Sequence, residues 1–65
     1  MKVTYDQEVD VLRIILSDSP IDESDEDKPG VILDYEPSGN IVGIEVLEAS
    51  KRMENPRALD DAVTG

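Results

Sequence analysis

The chain has 65 residues, of which 16 are acidic and 6 are basic, so its formal net charge at pH 7 is −10. A chain this short forms one domain with a marginal core, and such domains gain stability from disulfides, a structural metal or self-association. Because Cys and His are both absent, disulfides and thiolate or imidazole metal sites are excluded, and self-association is the aid that remains.

The negative charge also sets expectations about partners. Nucleic acids and anionic membranes are recognised through Lys and Arg, so we expect this chain to bind neither, whereas a basic protein would be attracted. No apolar run approaches the roughly 20 residues of a membrane span, and no signal peptide precedes the first strand. The sequence therefore predicts a cytoplasmic protein.

The first predicted elements are two strands, residues 2–6 and 10–16, joined by a short connection that predicts an antiparallel hairpin. In the first strand, Val3 and Tyr5 share one face. In the second strand both faces carry apolar side chains, Leu12, Ile14 and Leu16 on one and Val11 and Ile15 beside Arg13 on the other. We therefore expect both sides of the second strand to be at least partly covered.

Residues 17–29 are rich in acidic side chains and contain two prolines. Such a stretch buries little and repels itself, which predicts a mobile surface loop. From Asp25 onward the spacing partly matches a calcium loop, but Pro29 occupies a ligand position and a strand pattern follows. We therefore predict no metal site.

A second hairpin is indicated by two β-rich runs, residues 31–36 and 41–48, around Pro37-Ser38-Gly39-Asn40. Gly43 inside the returning strand predicts a bulge or the close approach of another backbone or ring. The buried side of the strand before the turn stays open, since it is either that of Val31, Leu33 and Tyr35 or that of Ile32.

After the second hairpin, Asn55 and Pro56 suit the cap and first position of a short helix, about residues 57–63. The predicted fold is mainly β (α+β), a four-stranded antiparallel sheet of two hairpins plus a short C-terminal helix. Residues 1–53 form the single domain and residues 54–65 a helical or frayed tail. Because so short a helix cannot cover the sheet, we expect a homodimer with sheets packed face to face or edge to edge.

Nothing in the sequence indicates catalysis. The chain has no His or Cys and no phosphate-binding Gly loop, and the carboxylates of its second hairpin are expected on a solvated face, namely Asp34, Glu36, Glu45 and Glu48. We predict no enzymatic activity, no catalytic residue and no cofactor.

Four stretches together resemble a known family, namely Val3-Thr4-Tyr5-Asp6, Val11-Leu12-Arg13-Ile14, the run from Gly30 to Tyr35, and the run from Ser38 to Ser50. Over roughly residues 1–53 the chain resembles the small prokaryotic family called domain of unknown function 2283. The resemblance implies a compact β-meander followed by a short helical tail, and it carries no established activity. Some relatives sit beside toxin-like genes, which implies an antitoxin or toxin-partner role.

Two functions are therefore hypothesised. The first is a protein-interaction module, an antitoxin-like acidic partner of a basic protein; the second is a small cation- or metabolite-binding module acting as a homodimer. Arg13 is expected to pair with Asp34 or Glu45, or to form an ion pair across a dimer. The candidate partner contacts are Asp22, Glu23, Asp25, Glu26, Asp27, Arg13, Tyr35, Leu59 and Val63.

Overall fold

Alternating apolar residues and two turn sequences fold this chain into one antiparallel sheet. The structure is a computed structural model that describes the backbone of residues 1–64 and the side chains of residues 1–60. Its elements are β1 (Lys2–Asp6), β2 (Val11–Ile15), β3 (Glu23–Lys28), β4 (Val31–Tyr35), β5 (Ile41–Leu47), α1 (Ala49–Arg52) and α2 (Pro56–Thr64). The strand order is β1-β2-β5-β4-β3, so the last strand of the sequence joins the first hairpin to the second.

The predicted number of elements is wrong, although the mainly-β class is confirmed. The sheet has five strands and not four, because the acidic segment predicted as a mobile loop contains β3. Every residue of β3 is exposed, so its charges stay in water while its backbone pairs with β4. A second short helix, α1, also follows β5 directly.

The two faces of the sheet differ. On the helix face, Val3 and Leu12 are fully buried against Ala49 of α1, and four partly buried side chains pack around them, namely Tyr5, Ile14, Val46 and Met53. Cross-strand partners share a face, and Val31 lies opposite Val46. The sequence left two alternatives for the buried side of β4, that of Val31 and Leu33 or that of Ile32. The register places Val31 and Leu33 on the helix face.

The opposite face, here called the open face, carries residues from all five strands: Lys2, Thr4, Asp6, Val11, Arg13, Ile15, Gly43, Glu45, Leu47, Ile32, Asp34, Ser24 and Glu26. Neither helix contributes a described residue to the depressions on this face. The apolar side chains that the sequence places on it are only half-buried. The second side of β2 is therefore less covered within one chain than its composition predicts.

The outer edges of the sheet also differ. At the β1 edge, the backbone N–H of Tyr5 donates a hydrogen bond to Oδ2 of Asp60 in α2, at 2.8 Å. This helix begins as predicted, since Pro56 is its first residue and Oδ1 of Asn55 accepts a bond from the N–H of Ala58 at 3.2 Å. The helix therefore packs on the β1 edge and accepts one of its outward N–H groups. The opposite edge is formed by β3, whose one strand neighbour is β4.

The core is small enough for one side chain to decide its stability. Leu12 has no exposed surface, and Leu12→Ala should lower the free energy of unfolding by about 2–5 kcal/mol. That loss is comparable with the whole stability of a domain this size, roughly 3–10 kcal/mol. Urea denaturation followed by circular dichroism measures the change. Val9→Ala is the control, because Val9 is 62% exposed, and equal midpoints for the two variants would contradict the prediction.

Candidate functional site

Five of the candidate contact residues lie on or beside β3. Asp22, Glu23, Asp25, Glu26 and Asp27 are all exposed, and together with Lys28 they form a segment that we call the acidic edge, residues 22–28. Five acids and one base give this segment a charge of −4 out of the chain's −10. Because β3 pairs on one side only, alternate backbone N–H and C=O groups along it point away from the sheet.

A shallow depression of about 340 Å³ lies between β3 and the turn after β4. It is lined by Asp22, Glu23, Asp25, Tyr35, Glu36, Pro37 and Gly39. Glu23 lies directly across from Tyr35, and Asp25 lies across from Leu33, so both acids are on the helix-face side of the sheet. An aromatic ring among carboxylates is a suitable environment for a Lys or Arg side chain, which gains both charge pairing and a cation–π contact.

The turn beside this depression is held by Glu36. Its Oε1 accepts bonds from the hydroxyl of Ser38 and from the backbone N–H groups of Ser38 and Asn40, the latter two at 3.0 and 3.1 Å. These donors, the Ser38 hydroxyl first, hold the pKa of the Glu36 carboxyl below its ordinary value. Gly39 has a φ of 94°, which favours glycine at this turn. The hairpin predicted at this turn is confirmed.

A buried carboxylate attaches the acidic edge to the sheet. Asp34 is 2% exposed, and its Oδ1 accepts a bond of 2.6 Å from the hydroxyl of Ser24, the residue opposite it on β3. A Cβ atom on Gly43, across from Asp34 on β5, would lie 3.0 Å from Oδ2 and 3.4 Å from the carbonyl oxygen of Ile14. The expectation that the Asp34 carboxylate is solvated is therefore wrong, because it is buried, bonded by Ser24 and placed in the room that Gly43 leaves.

The same region bears out the bulge that Gly43 predicts. The pairing of β4 with β5 shifts by one residue between Asp34 and Tyr35, so that Asp34 lies opposite Gly43 and Tyr35 lies opposite Ile41. Asp34 is not the partner of Arg13 that the sequence offered as one alternative. Arg13 instead pairs with Glu45 on the neighbouring strand, at 3.1 Å.

The structure separates the other candidate contacts from the acidic edge. Arg13 lies on the open face, and its side chain is 57% exposed. Leu59 lies in α2, which packs on β1 at the opposite edge of the sheet from β3. The acidic loop and the tail, both predicted as partner contacts, therefore lie at opposite edges of the sheet, and Val63 lies outside the described side chains.

Sequence reasoning missed a second polar cluster, centred on Asp10. Its Oδ1 accepts bonds from the Tyr5 hydroxyl at 2.7 Å and from the Ser50 N–H at 3.0 Å. Its Oδ2 accepts a bond of 2.6 Å from the Ser50 hydroxyl. These bonds, led by that of the Ser50 hydroxyl, lower the pKa of the Asp10 carboxyl, and the bond to this carboxylate raises the pKa of Tyr5. An Asp whose backbone adopts the left-handed conformation in a turn is recognisable in the sequence. Its hydrogen-bond partner Ser50, 40 residues away, is not.

Among the described residues, no three carboxylates converge in a geometry that holds a metal ion. Likewise, no helix in the part of the chain that the structure describes is both long and apolar enough to cross a membrane.

Residues 2–50 match the family described as protein of unknown function, DUF2283. The chain belongs to this family. The resemblance found in the sequence is thereby confirmed, and the matched DUF2283 stretch includes all five strands, Asp34, Gly43 and the cluster of Tyr5, Asp10 and Ser50. It ends before α2. No curated protein and no solved structure matches the chain.

Gly43→Ala should destabilise this DUF2283 domain by about 1–3 kcal/mol, because the added methyl meets the buried Asp34 carboxylate and a backbone oxygen. Urea denaturation of a double-mutant cycle with Asp34→Ala measures the coupling, since removing the carboxylate leaves room for the methyl. A loss from Gly43→Ala that is the same with and without Asp34 would show that the two residues are not in contact.

The Asp10 cluster predicts a pH dependence of stability. The folded pKa of Asp10 is lowered, so its contribution is present above the ordinary carboxyl pKa, about 3.9, and is lost as the pH falls through the lower folded value. Asp10→Asn should therefore lower the Tm at neutral pH, and the difference from the wild type should shrink as the pH falls below about 4. Thermal unfolding across this range is the measurement. Asp18→Asn, at an exposed position, is the control, and a difference that persists unchanged at low pH would contradict the assignment.

Proposed function

We propose that this domain is a non-catalytic protein-interaction module that binds a basic, extended segment of a partner protein along the acidic edge. The observation that carries the proposal is the contrast between the two outer strands. At the β1 edge, α2 packs on the strand and Asp60 accepts a hydrogen bond from the N–H of Tyr5. By contrast, every residue of β3 is exposed, and the acidic edge that contains it holds five acids.

An extended segment placed beside β3 extends the sheet by one strand. Main-chain hydrogen bonds to the outward N–H and C=O groups of β3 then supply affinity, and alternate side chains supply specificity. On the helix-face side, a Lys or Arg of the segment meets Glu23, Asp25 and the ring of Tyr35. The opposite charges also raise the association rate at low salt.

The same charges disfavour pairing of β3 with β3 of a second copy, because two segments of charge −4 would lie side by side. The acidic edge therefore discriminates between a copy of this chain and a basic partner. An acidic domain that neutralises a basic protein in this way acts as an antitoxin-like partner.

A synthetic peptide of alternating Lys and Val residues tests the proposal directly. Fluorescence anisotropy should detect binding that weakens as salt is added, and the backbone amide resonances of β3 should shift most in the NMR spectrum. Glu23→Gln with Asp25→Asn should weaken binding by about twofold to thirtyfold, since each removes one exposed charge pair. Glu8→Gln with Glu54→Gln is the matched control, because it removes two exposed acids elsewhere and leaves the same net charge.

The same peptide with every backbone nitrogen methylated separates strand addition from attraction by charge alone. It keeps every charge but cannot donate the hydrogen bonds of a ladder, so we expect it to bind more weakly. Equal affinity for both peptides, or equal weakening by the β3 variant and the control variant, would remove the acidic edge as the binding surface.

A further inference from the structure

We propose that the open face of the sheet is the contact between two copies of this chain, packed face to face about a twofold axis. This inference is independent of the acidic edge, because β3 and the part of the open face formed by β1, β2 and β5 are separated by β4.

The open face is apolar enough to need a cover. Val11, Ile15, Ile32 and Leu47 are half-buried there, and Val9 beside them is 62% exposed. Two adjacent depressions of about 380 and 400 Å³ lie along this face and share Arg13, Ile15 and Glu45. By contrast, only five apolar side chains are buried among residues 1–60, namely Val3, Leu12, Val42, Ala49 and Pro56. A core of this size in a chain without cysteine is the situation in which small domains associate.

Charge identifies a second copy as the occupant. Two chains of charge −10 repel each other over most of their surfaces. The first depression on the open face is an exception, because its lining contains two bases and two acids and is neutral, namely Lys2, Arg13, Asp6 and Glu45. A basic partner is not attracted electrostatically to a neutral surface, whereas a second copy of the acidic chain is not repelled there.

The arrangement of those charges is self-complementary. Arg13 on β2 lies directly opposite Glu45 on β5, and their side chains are 3.1 Å apart. A twofold axis that passes beside this pair brings Arg13 of each copy to Glu45 of the other, as an isologous interface requires. The ion pair within each chain and the ion pair across the dimer, which the sequence offered as alternatives, then form one cluster of four charges.

The sheet is also large enough. The Cα atoms of the chain span 33 × 27 × 16 Å. A standard interface buries about 800 Å² per partner, which is roughly a fifth of the 4502 Å² accessible surface of one chain. Face-to-face packing of two sheets about 10 Å apart places the half-buried side chains of both copies in one shared layer.

Sedimentation equilibrium of the full chain tests the proposal. We expect the wild type to have about twice the 7.2 kDa mass of one chain at high micromolar concentration. Ile15→Lys places a charge in the middle of the open face and should yield a folded monomer. Ile41→Lys is the matched control, because Ile41 is 43% exposed and lines neither depression, and this variant should stay dimeric.

Arg13→Glu keeps the test decisive if Ile15→Lys fails to fold, because Arg13 is exposed and its ion pair contributes little to the stability of one chain. In a dimer this variant gathers four acids at the axis and should dissociate it, whereas Arg13→Glu with Glu45→Arg should restore it. A wild-type chain that sediments as a monomer, or variants that fold and remain dimeric, would overturn the proposal.

Salt distinguishes this proposal from the acidic-edge proposal. Self-association of two chains of the same charge should strengthen as salt is added, whereas binding of the Lys-Val peptide should weaken. Glu23→Gln with Asp25→Asn should leave the dimer intact, and a folded Ile15→Lys monomer should still bind the peptide. Failure of one proposal is therefore recognisable without failure of the other.

Discussion

The pairing of β2 with β5 is the contact on which the rest of this structure depends. It places Leu12 opposite Val46 and Ile14 opposite Ile44, and so joins the first hairpin to the meander of β3, β4 and β5. Since α1 follows β5 directly, the same pairing brings Ala49 onto Leu12 and completes the buried cluster. Both faces and both edges of the sheet, and hence both proposed contact surfaces, are consequences of this one register.

Because the core is so small, hydrogen-bonded carboxylates also stabilise the packing of the elements against one another. Asp10 connects the turn after β1 to α1, Asp34 connects β3 to the sheet, and Asp60 connects α2 to β1. Each accepts a bond from a group distant in sequence, and in each case the donor belongs to a different element. In a chain of charge −10, three acids at these positions are structural, which leaves the acids of β3 as the concentrated charge available to a partner.

The sequence was sufficient for features set by local chemistry. Both hairpins, the Pro37 to Asn40 turn and the start of α2 at Asn55 and Pro56 were predicted, because turn and cap preferences act over a few residues. β3 was missed because strand prediction relies on apolar alternation, and an edge strand that buries no side chain has none. The Asp10 cluster and the burial of Asp34 were missed for another reason, since both depend on pairings between residues far apart in the sequence.

The strand order also has a consequence for how the chain assembles during synthesis. β2 is complete at Ile15, but its second neighbour, β5, begins only at Ile41. Until that later strand is made, the first hairpin has one free side and lacks the Ala49 contact that covers Leu12. An isolated two-stranded hairpin is at best marginally stable in water, so the domain can form only after most of its sequence has been translated. We therefore expect the slow step to be the long-range closure of β5 onto β2, which joins two hairpins that each form from local contacts.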